Sequence, residues 1–273
     1  MTDHHTPGTV VLDLRVGAGE VDVTTADTDT TSVELESLSG ESGEIAIAAT
    51  EQDCRPGPDG AATVRVHVPR GGARRWFSRD PEVRVRVTAP HGARLRCDTA
   101  SADVAAGGRL GALDLRTASG DVTAEAIAGD ARVKTMSGDV RLGDVGGSAD
   151  LHTMSGDQTV ASIADGATLR SMSGDVVVGS AAGSCDISTM SGDVRLDAVA
   201  RGAVAVATAS GDVTLGVVRG TRVWMDVQSV AGEADSDLDH ADPGGSGDAQ
   251  LRLRVASSSG DVRVRRGAQT AAH

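Results

Sequence analysis

The chain has 273 residues, and its 39 acidic side chains outnumber its 26 Lys and Arg side chains, for a net charge of −13. This charge argues against non-specific binding of nucleic acid or of an anionic membrane by the body of the protein. Only three residues are aromatic, two Trp and one Phe, whereas a globular enzyme with a ligand pocket usually has more. Composition therefore disfavours nucleic-acid-binding proteins and globular enzymes.

The cysteines and the lack of long apolar segments bear on the location of the protein. Cys54, Cys97 and Cys185 are widely spaced and match neither a disulfide framework nor a zinc pattern, so we expect free thiols in a reducing compartment. The N-terminus has no basic segment followed by an apolar run, and no window approaches about 18 uninterrupted apolar residues. These observations predict a cytoplasmic protein with no signal peptide or transmembrane segment.

The N-terminal third is predicted to be a less regular β region. Residues 1–9 are predicted to be a flexible tail. From Val10 the sequence VVLDLRVGAGEVDVTT alternates on both sides of Gly17 and Gly19, which predicts two strands. Further strands are predicted at residues 32–38, 44–48, 62–68 and 82–88. Residues 10–98 are therefore assigned to the irregular first part of a single domain that spans 10–265.

A basic segment with aromatic residues lies between the last two of these strands. Residues 70–79 read RGGARRWFSR and hold Trp76 and Phe77, two of the three aromatic residues. Trp and Arg are enriched in binding hot spots. The candidate partner-binding residues are therefore Arg74, Arg75, Trp76, Phe77 and Arg79. The alternatives are a loop that covers the open end of the solenoid described below, a membrane contact confined to this loop, and stacking on a nucleic acid, which the net charge opposes.

A repeated Ser-Gly-Asp tripeptide dominates residues 99–232. Its serines are Ser119, Ser137, Ser155, Ser173, Ser191 and Ser210, so the first five are 18 residues apart and the last follows after 19. A fixed period of this length indicates a repeat architecture. Two short alternating segments flank each tripeptide, in which Gly permits positive φ and Asp accepts hydrogen bonds from nearby backbone N–H groups.

Residues at the same phase of successive repeats have the same chemistry. One column is aliphatic: Leu115, Val133, Leu151, Leu169 and Ile187. Another carries hydroxyls: Thr117, Thr135, Thr153, Ser171 and Thr189. A single repeat cannot bury its apolar face, whereas stacked coils bury a continuous core. The sequence therefore predicts an all-β fold, a single-stranded parallel β-solenoid with 18-residue coils, and the usual hand of parallel crossovers favours a right-handed β-helix.

Two further columns lie beside the Ser-Gly-Asp corners. The carboxylates of Asp139, Asp157, Asp175 and Asp193 would stack with like charge, which is unfavourable unless it is compensated. Compensation by backbone donors in a purely structural turn is the first interpretation, and a weak Ca²⁺-binding hypothesis is the second. The Met column (Met136, Met154, Met172 and Met190) is either packed at the corner or exposed as a soft stripe for a partner. No other cofactor is predicted.

The period loosens after Asp212. Strands are predicted at 213–218 and 223–227, with Trp224 packed in the C-terminal part of the core. Residues 233–248 are predicted to be an acidic, Gly-rich loop that lacks the Gly and Glu of a calcium-binding loop. Residues 249–265 are predicted to be a last coil, and residues 266–273 a tail.

The approach Pro90, Gly92, Leu95, followed by repeated Thr-x-Ser-Gly-Asp-Val, resembles the bacterial "putative adhesin" family of β-strand-repeat domains. The resemblance covers roughly residues 10–265. It implies a solenoid-like β architecture without established catalytic residues, and the adhesin name implies a role at the cell surface, with which the predicted cytoplasmic location disagrees.

The sequence predicts a function based on binding. It has no P-loop, dinucleotide fingerprint, GxSxG elbow or HExxH motif, so we expect no enzymatic activity. The first hypothesis is a structural module that binds a protein partner through a solenoid face or the basic Trp/Phe loop. The alternatives are an adhesin-like surface domain, with or without stabilising calcium, and a self-assembling solenoid scaffold. Because solenoid ends carry unpaired strands, we expect either a monomer or an end-to-end homo-oligomer.

Overall fold

The structure is a computed structural model, and it describes residues 1–56, 61–69, 80–238 and 250–267. These residues form β-strands with a single helix, and most strands pair in parallel between successive coils, as predicted for a β-solenoid. No helix among them is long and apolar enough to cross a membrane. The chain divides into two compact units, unit 1 (residues 1–143) and unit 2 (residues 144–273). The single domain expected from the sequence stays a prediction.

The elements of unit 1 are β1 (Thr2–His5), β2 (Val10–Ala26), β3 (Thr30–Ser37), α1 (Glu41–Ala48), β4 (Glu51–Pro56), β5 (Ala62–His67), β6 (Glu82–Pro90), β7 (Arg94–Leu110), β8 (Ala112–Ser119), β9 (Val122–Ile127) and β10 (Ala131–Ser137). Strand β11 (Val140–Val145) contains the division between the units. The elements of unit 2 are β12 (Ala149–Ser155), β13 (Gln158–Ile163), β14 (Ala167–Ser173), β15 (Val176–Ala181), β16 (Cys185–Ser191), β17 (Val194–Val199), β18 (Gly202–Ser210), β19 (Val213–Val217), β20 (Val223–Ala231), β21 (Ala234–Ser236), β22 (Leu251–Ser259) and β23 (Val262–Arg266).

Each regular coil of unit 2 consists of two strands joined by a Ser-Gly-Asp corner. The first strands, β12, β14, β16 and β18, pair in parallel, and so do the second strands, β13, β15, β17 and β19. Leu151 lies beside Leu169, and Leu169 beside Ile187, so one repeat of 18 residues is one coil. The predicted period is confirmed in the register of the strands.

The core consists of the predicted aliphatic columns. In unit 2, Leu151, Leu169 and Ile187 have no solvent exposure, and in unit 1 the same holds for Leu115 and Val133. Parallel strands lie about 4.8 Å apart, so each side chain contacts its equivalent in the next coil. The buried columns are filled by aliphatic side chains, which leaves few core positions for aromatic residues.

The stacking order of the coils differs from their order in the chain. In unit 1, β2 pairs in parallel with β7 on one side and with β5 and β6 on the other. The coil at 10–26 therefore lies between the coil at 62–90 and the coil at 94–110 in the stack. In unit 2, β22 pairs with both β18 and β20, so the coil that comes last in sequence lies between two earlier ones. Sequential stacking does not hold in these places.

The outermost coil of unit 1 is covered by antiparallel strands. β3 pairs with β6, β4 pairs with β5, and β1 pairs with β3, all in antiparallel register. The side chains of Val64, Val66, Val83, Val85 and Val87 are consequently buried.

Residues 44–48 form part of α1 and not the predicted strand, so that prediction is wrong. Gly40 precedes the helix with a φ of 62°, and Glu41 and Glu44 in the first turn favour the positive end of the helix dipole. Gly43 and Ala46, three residues apart, are the buried positions. The alternating EIAIA sequence indicated a strand, but Ile45 is 63% exposed, because the period of burial is that of a helix.

Candidate functional site

The Ser-Gly-Asp corners are built from three local interactions, the first of which uses the buried hydroxyl column. The Oγ1 of Thr135 donates to the carbonyl oxygen of Ser137 at 2.9 Å in unit 1, and Thr189 does the same to Ser191 at 3.3 Å in unit 2. The hydroxyl therefore bonds to the backbone of the corner that follows it, which explains why a Thr stands two residues before the Ser of Ser-Gly-Asp.

Glycine at the corner is required by backbone conformation and by space. Gly192 has a φ of +137°, which side chains rarely permit, and a Cβ on it would lie 2.2 Å from the carbonyl oxygen of Gly174. The corners are so close together that the backbone of one coil occupies the place of a side chain on the next.

The aspartates form a ladder between coils. In six places the Oδ1 of one Asp accepts a hydrogen bond from the backbone N–H of the Asp in the neighbouring coil. In unit 1 the N–H donors are Asp121 to Asp103 and Asp139 to Asp121, both at 2.9 Å. In unit 2 they are Asp175 to Asp157, Asp193 to Asp175, Asp212 to Asp193 and Asp261 to Asp212, all at 2.8 Å. Backbone donors thus compensate the stacked carboxylates.

The ladder gives these aspartates a structural role that needs no metal. Some of the second carboxylate oxygens are paired with arginines: Arg141 lies 2.7 Å from Asp139, and Arg263 lies 2.8 Å from Asp261. In the part of the chain that the structure describes, no three His, Cys, Asp or Glu side chains are grouped to hold a metal ion. A calcium site at Asp139, Asp157, Asp175 and Asp193 stays a hypothesis from the sequence.

The predicted binding loop, with Arg74, Arg75, Trp76, Phe77 and Arg79, lies outside the described residues. The neighbouring strands are described: β5 ends at His67 and β6 begins at Glu82. The candidate role of the loop therefore stays a prediction from its sequence.

The Met column lies on the outer surface. In unit 2, Met154, Met172 and Met190 occupy the same position of β12, β14 and β16 and are 46%, 46% and 56% exposed. In unit 1, Met136 occupies that position of β10 and is 56% exposed. Of the two interpretations of this column, the exposed stripe is the one observed.

Polar residues lie next to the Met column of unit 2. His152 and Arg170 are the preceding outward residues of β12 and β14, and the Nε2 of His152 lies 2.8 Å from the Oδ1 of Asp150. Asp150, His152, Thr168, Arg170 and Asp186 line a shallow open groove on this face. The surface thus combines soft apolar side chains with charges of both signs, which suits a protein surface better than a small substrate.

The buried cysteines are not activated nucleophiles. Burial raises the pKa of the Cys97 thiol to about 12 and that of the Cys185 thiol to about 11. A reactive Cys needs a lowered pKa and access to solvent. Both thiols are therefore neutral members of the core at physiological pH.

The sequence predictions missed two features. Arg84 of β6 donates to Glu20 of β2 at 2.7 Å and to Glu36 of β3 at 3.0 Å, and its hydrogen bond lowers the pKa of Glu20. The arginines of the alternating VRVRV segment and the glutamates of the VELE segment are the sequence features that could have predicted this ion-pair cluster. Trp224 is 47% exposed on β20, so the prediction that it packs in the core is wrong. It points outward because Val223 and Met225, on either side of it, lie beside the core residues Leu251 and Leu253.

Residues 60–265 match the family model described as Toastrack DUF4097. No curated protein matches the chain. Similar solved structures include one described as a putative adhesin from Bacteroides fragilis, at 10% identity and a TM-score of 0.39, covering 96% of this chain and 95% of the other. One described as a putative lipid binding protein from Parabacteroides distasonis has 12% identity, a TM-score of 0.38, and coverages of 96% and 95%. A putative cell adhesion protein from Clostridium sporogenes has 7% identity, a TM-score of 0.28, and coverages of 95% and 93%. All three TM-scores are below 0.5, so the assignment to a family depends on the family model.

Proposed function

The chain belongs to the Toastrack DUF4097 family, whose description specifies no activity, and from this premise we propose that it is a non-enzymatic module that binds a protein partner. The partner contacts the outer face of β12, β14 and β16 in unit 2. The observation that carries this proposal is the exposure of Met154, Met172 and Met190 at one position of three successive coils.

The three exposed Met side chains form a contiguous apolar row on the surface of unit 2. An isolated apolar side chain at the surface needs no explanation, but a contiguous row of three is a patch of the kind found at interaction sites. Met is unbranched and polarisable, so such a row adapts to partner surfaces of differing shape. The neighbouring Asp150, His152 and Arg170 add polar contacts that orient the partner.

The first experiment is affinity capture from native lysate with the full chain as bait. The test variant carries Met154→Gln, Met172→Gln and Met190→Gln, which keep the length of the side chains and remove their apolar character. The matched control carries Thr159→Gln, Ala161→Gln and Arg195→Gln, three exposed positions on the other strands of the same coils. Both variants are first required to melt within about 2 °C of the wild type, since surface substitutions usually change stability little.

We expect one partner to be retained by the wild type and the control and lost by the Met variant. A partner list that is unchanged in the Met variant would refute the proposed face. A third bait with Trp76→Ala and Phe77→Ala tests the loop predicted from the sequence. Loss of the partner only in this bait would move the binding site from the Met face to the loop at residues 70–79.

The cellular location belongs to the same proposal. The cytoplasm, predicted from the sequence, is consistent with an intracellular protein partner. Fractionation of cells with a protease-accessibility assay tests this location. Recovery of the protein at the outer surface would favour the adhesin-like alternative, which the names of the similar structures suggest for those proteins.

A further inference from the structure

Strand β20 is the edge of the stack of coils in unit 2. Its residues Val223–Ala231 pair in parallel with β22, and among residues 1–56, 61–69, 80–238 and 250–267 no strand pairs with its other side. A free edge presents a row of backbone N–H and C=O groups that can pair with another strand.

Apolar side chains are exposed along this edge. Val223, Met225 and Val227 point toward the core, because their neighbours in β22 are the buried Leu251, Leu253 and Val255. Met225 is nevertheless 38% exposed, since no further coil covers it in the described structure. On the outer face, Trp224 is 47% and Val230 is 87% exposed.

The pattern of β20 is self-complementary. In an antiparallel pairing of two copies centred on Val227, Trp224 of one copy lies opposite Val230 of the other, and Asp226 lies opposite Gln228. The exposed apolar residues then contact each other, and the carboxylate accepts a hydrogen bond from an amide. At the core level Val227 meets Val227. The Trp224–Val230 and Asp226–Gln228 pairs each occur twice, and the Val227–Val227 pair lies on the axis and occurs once, as a two-fold interface requires.

The two adjacent registers that keep core residues on the core side are worse. A centre at Asp226 places the two Asp226 carboxylates opposite each other, and like charges in directly opposed positions are destabilising. A centre at Gln228 places Asp226 against the apolar Val230. The sequence of the strand therefore favours the register centred on Val227 over both of its neighbours.

We propose that two copies of this chain form a dimer by antiparallel pairing of their β20 edges around a two-fold axis at Val227. The pairing covers the exposed end of the core and satisfies the free backbone groups of β20. Because each copy uses the same surface, the assembly closes at two copies, unlike the end-to-end polymer considered from the sequence. The dimer does not depend on the proposed Met face.

The test uses sedimentation velocity on the full chain between about 1 and 200 µM, a range that detects weak and tight dimers. Gln228 is exposed and lies opposite Asp226 of the partner copy, so its charge variants have opposite predicted effects. Gln228→Asp adds two repulsive pairs and is expected to raise the dimer Kd about tenfold or more. Gln228→Lys adds two attractive pairs and is expected to lower it several-fold.

The matched controls are Ala207→Asp and Ala207→Lys, which place the same charges at an exposed position of β18, inside the same sheet. We expect both controls to dimerise like the wild type. The proposal is overturned if the wild type stays monomeric over the whole range, if higher oligomers grow with concentration, or if the two Gln228 variants change the Kd in the same direction.

Discussion

At the level of single residues, the repeated polar side chains of this chain hold its coils together. The Asp side chains that resemble a metal ladder in the sequence accept backbone hydrogen bonds from the next coil, for example from Asp193 to Asp175 at 2.8 Å. A carboxylate that bonds to an N–H group of the adjacent coil connects two coils that are 18 residues apart in the chain. The backbone hydrogen bonds are therefore sufficient to explain its repetition.

Gln158 is the residue that departs from this regularity. It replaces Val in a fully buried column, directly beside Val176. Its Nε2 donates to the Oγ1 of Thr153 at 2.9 Å and to the carbonyl oxygen of Arg170 at 2.8 Å. Its Oε1 is buried without a partner in the described structure, and a buried unsatisfied group costs about 1–3 kcal/mol.

We therefore predict that Gln158→Val stabilises the protein. Val has a similar volume and restores the aliphatic column, so the free energy of unfolding rises by about 1 kcal/mol and the Tm by about 3 °C. Differential scanning calorimetry measures both. A lower Tm in the variant would mean that the two hydrogen bonds of the amide outweigh its desolvation.

At the level of elements, the corner between two strands sets the geometry of the coil. The hydroxyl of a Thr, the positive φ of a Gly and the carboxylate of an Asp act within four residues of each other, and the strands on both sides follow ordinary alternation. The opposite corner carries no constant tripeptide. The Ser-Gly-Asp corner therefore restricts the residue types at its positions more strictly than the opposite corner does.

A pair of Gly substitutions tests this difference between corners. Gly192→Ala places a Cβ 2.2 Å from the carbonyl oxygen of Gly174 at a φ of +137° and is expected to destabilise the fold by about 3 kcal/mol or more. Gly166→Ala, at the opposite corner, meets its nearest atom at 3.5 Å and is expected to change stability by less than about 1 kcal/mol.

Urea denaturation of both variants measures these differences. Equal midpoints for the two variants would show that the Ser-Gly-Asp corner adapts to a side chain and that contact with the neighbouring backbone does not require Gly there.

The helix α1 shows that a local pattern can mislead. The alternation of residues 44–48 indicated a strand, whereas the burial of Gly43 and Ala46 follows the period of a helix.

At the level of the whole molecule, the stacking order distinguishes the structure from a simple repeat. Because β22 pairs with both β18 and β20, the coil at residues 251–266 supports the coil at 223–236. In a sequential stack the earlier coil would be supported by the coil before it. The two arrangements predict different effects of truncation.

A chain that ends at residue 249 lacks β22 and β23 and should leave β20 and β21 without their neighbours. We expect amide hydrogen exchange in residues 223–236 to become at least about tenfold faster, since the hydrogen bonds to β22 are lost. A chain that ends at residue 267 is the control and should exchange like the wild type. Unchanged protection of 223–236 in the shorter chain would mean that β20 pairs directly with β18.

The sequence by itself determined the architecture of the regular coils. The 18-residue period, the aliphatic and hydroxyl columns and the Gly at each corner are properties of neighbouring residues and of a repeat that contacts only its equivalents. The match of residues 60–265 to a family model agrees with this. A residue such as Leu169 could be assigned to the core because its environment repeats with the sequence.

Only the tertiary structure decided the stacking order of the coils where the regular repeat ends. The sequence predicted Trp224 in the core, whereas it lies on the outer face of β20, between the core-facing Val223 and Met225. The insertion of β22 between β18 and β20 leaves β20 at the edge, so the core-facing Met225 is 38% exposed. This order is a choice among coils of equal period that local sequence does not encode. Since several coils can stack on one another with the same alternation and spacing, only the complete set of strand pairings shows which coil lies at the edge.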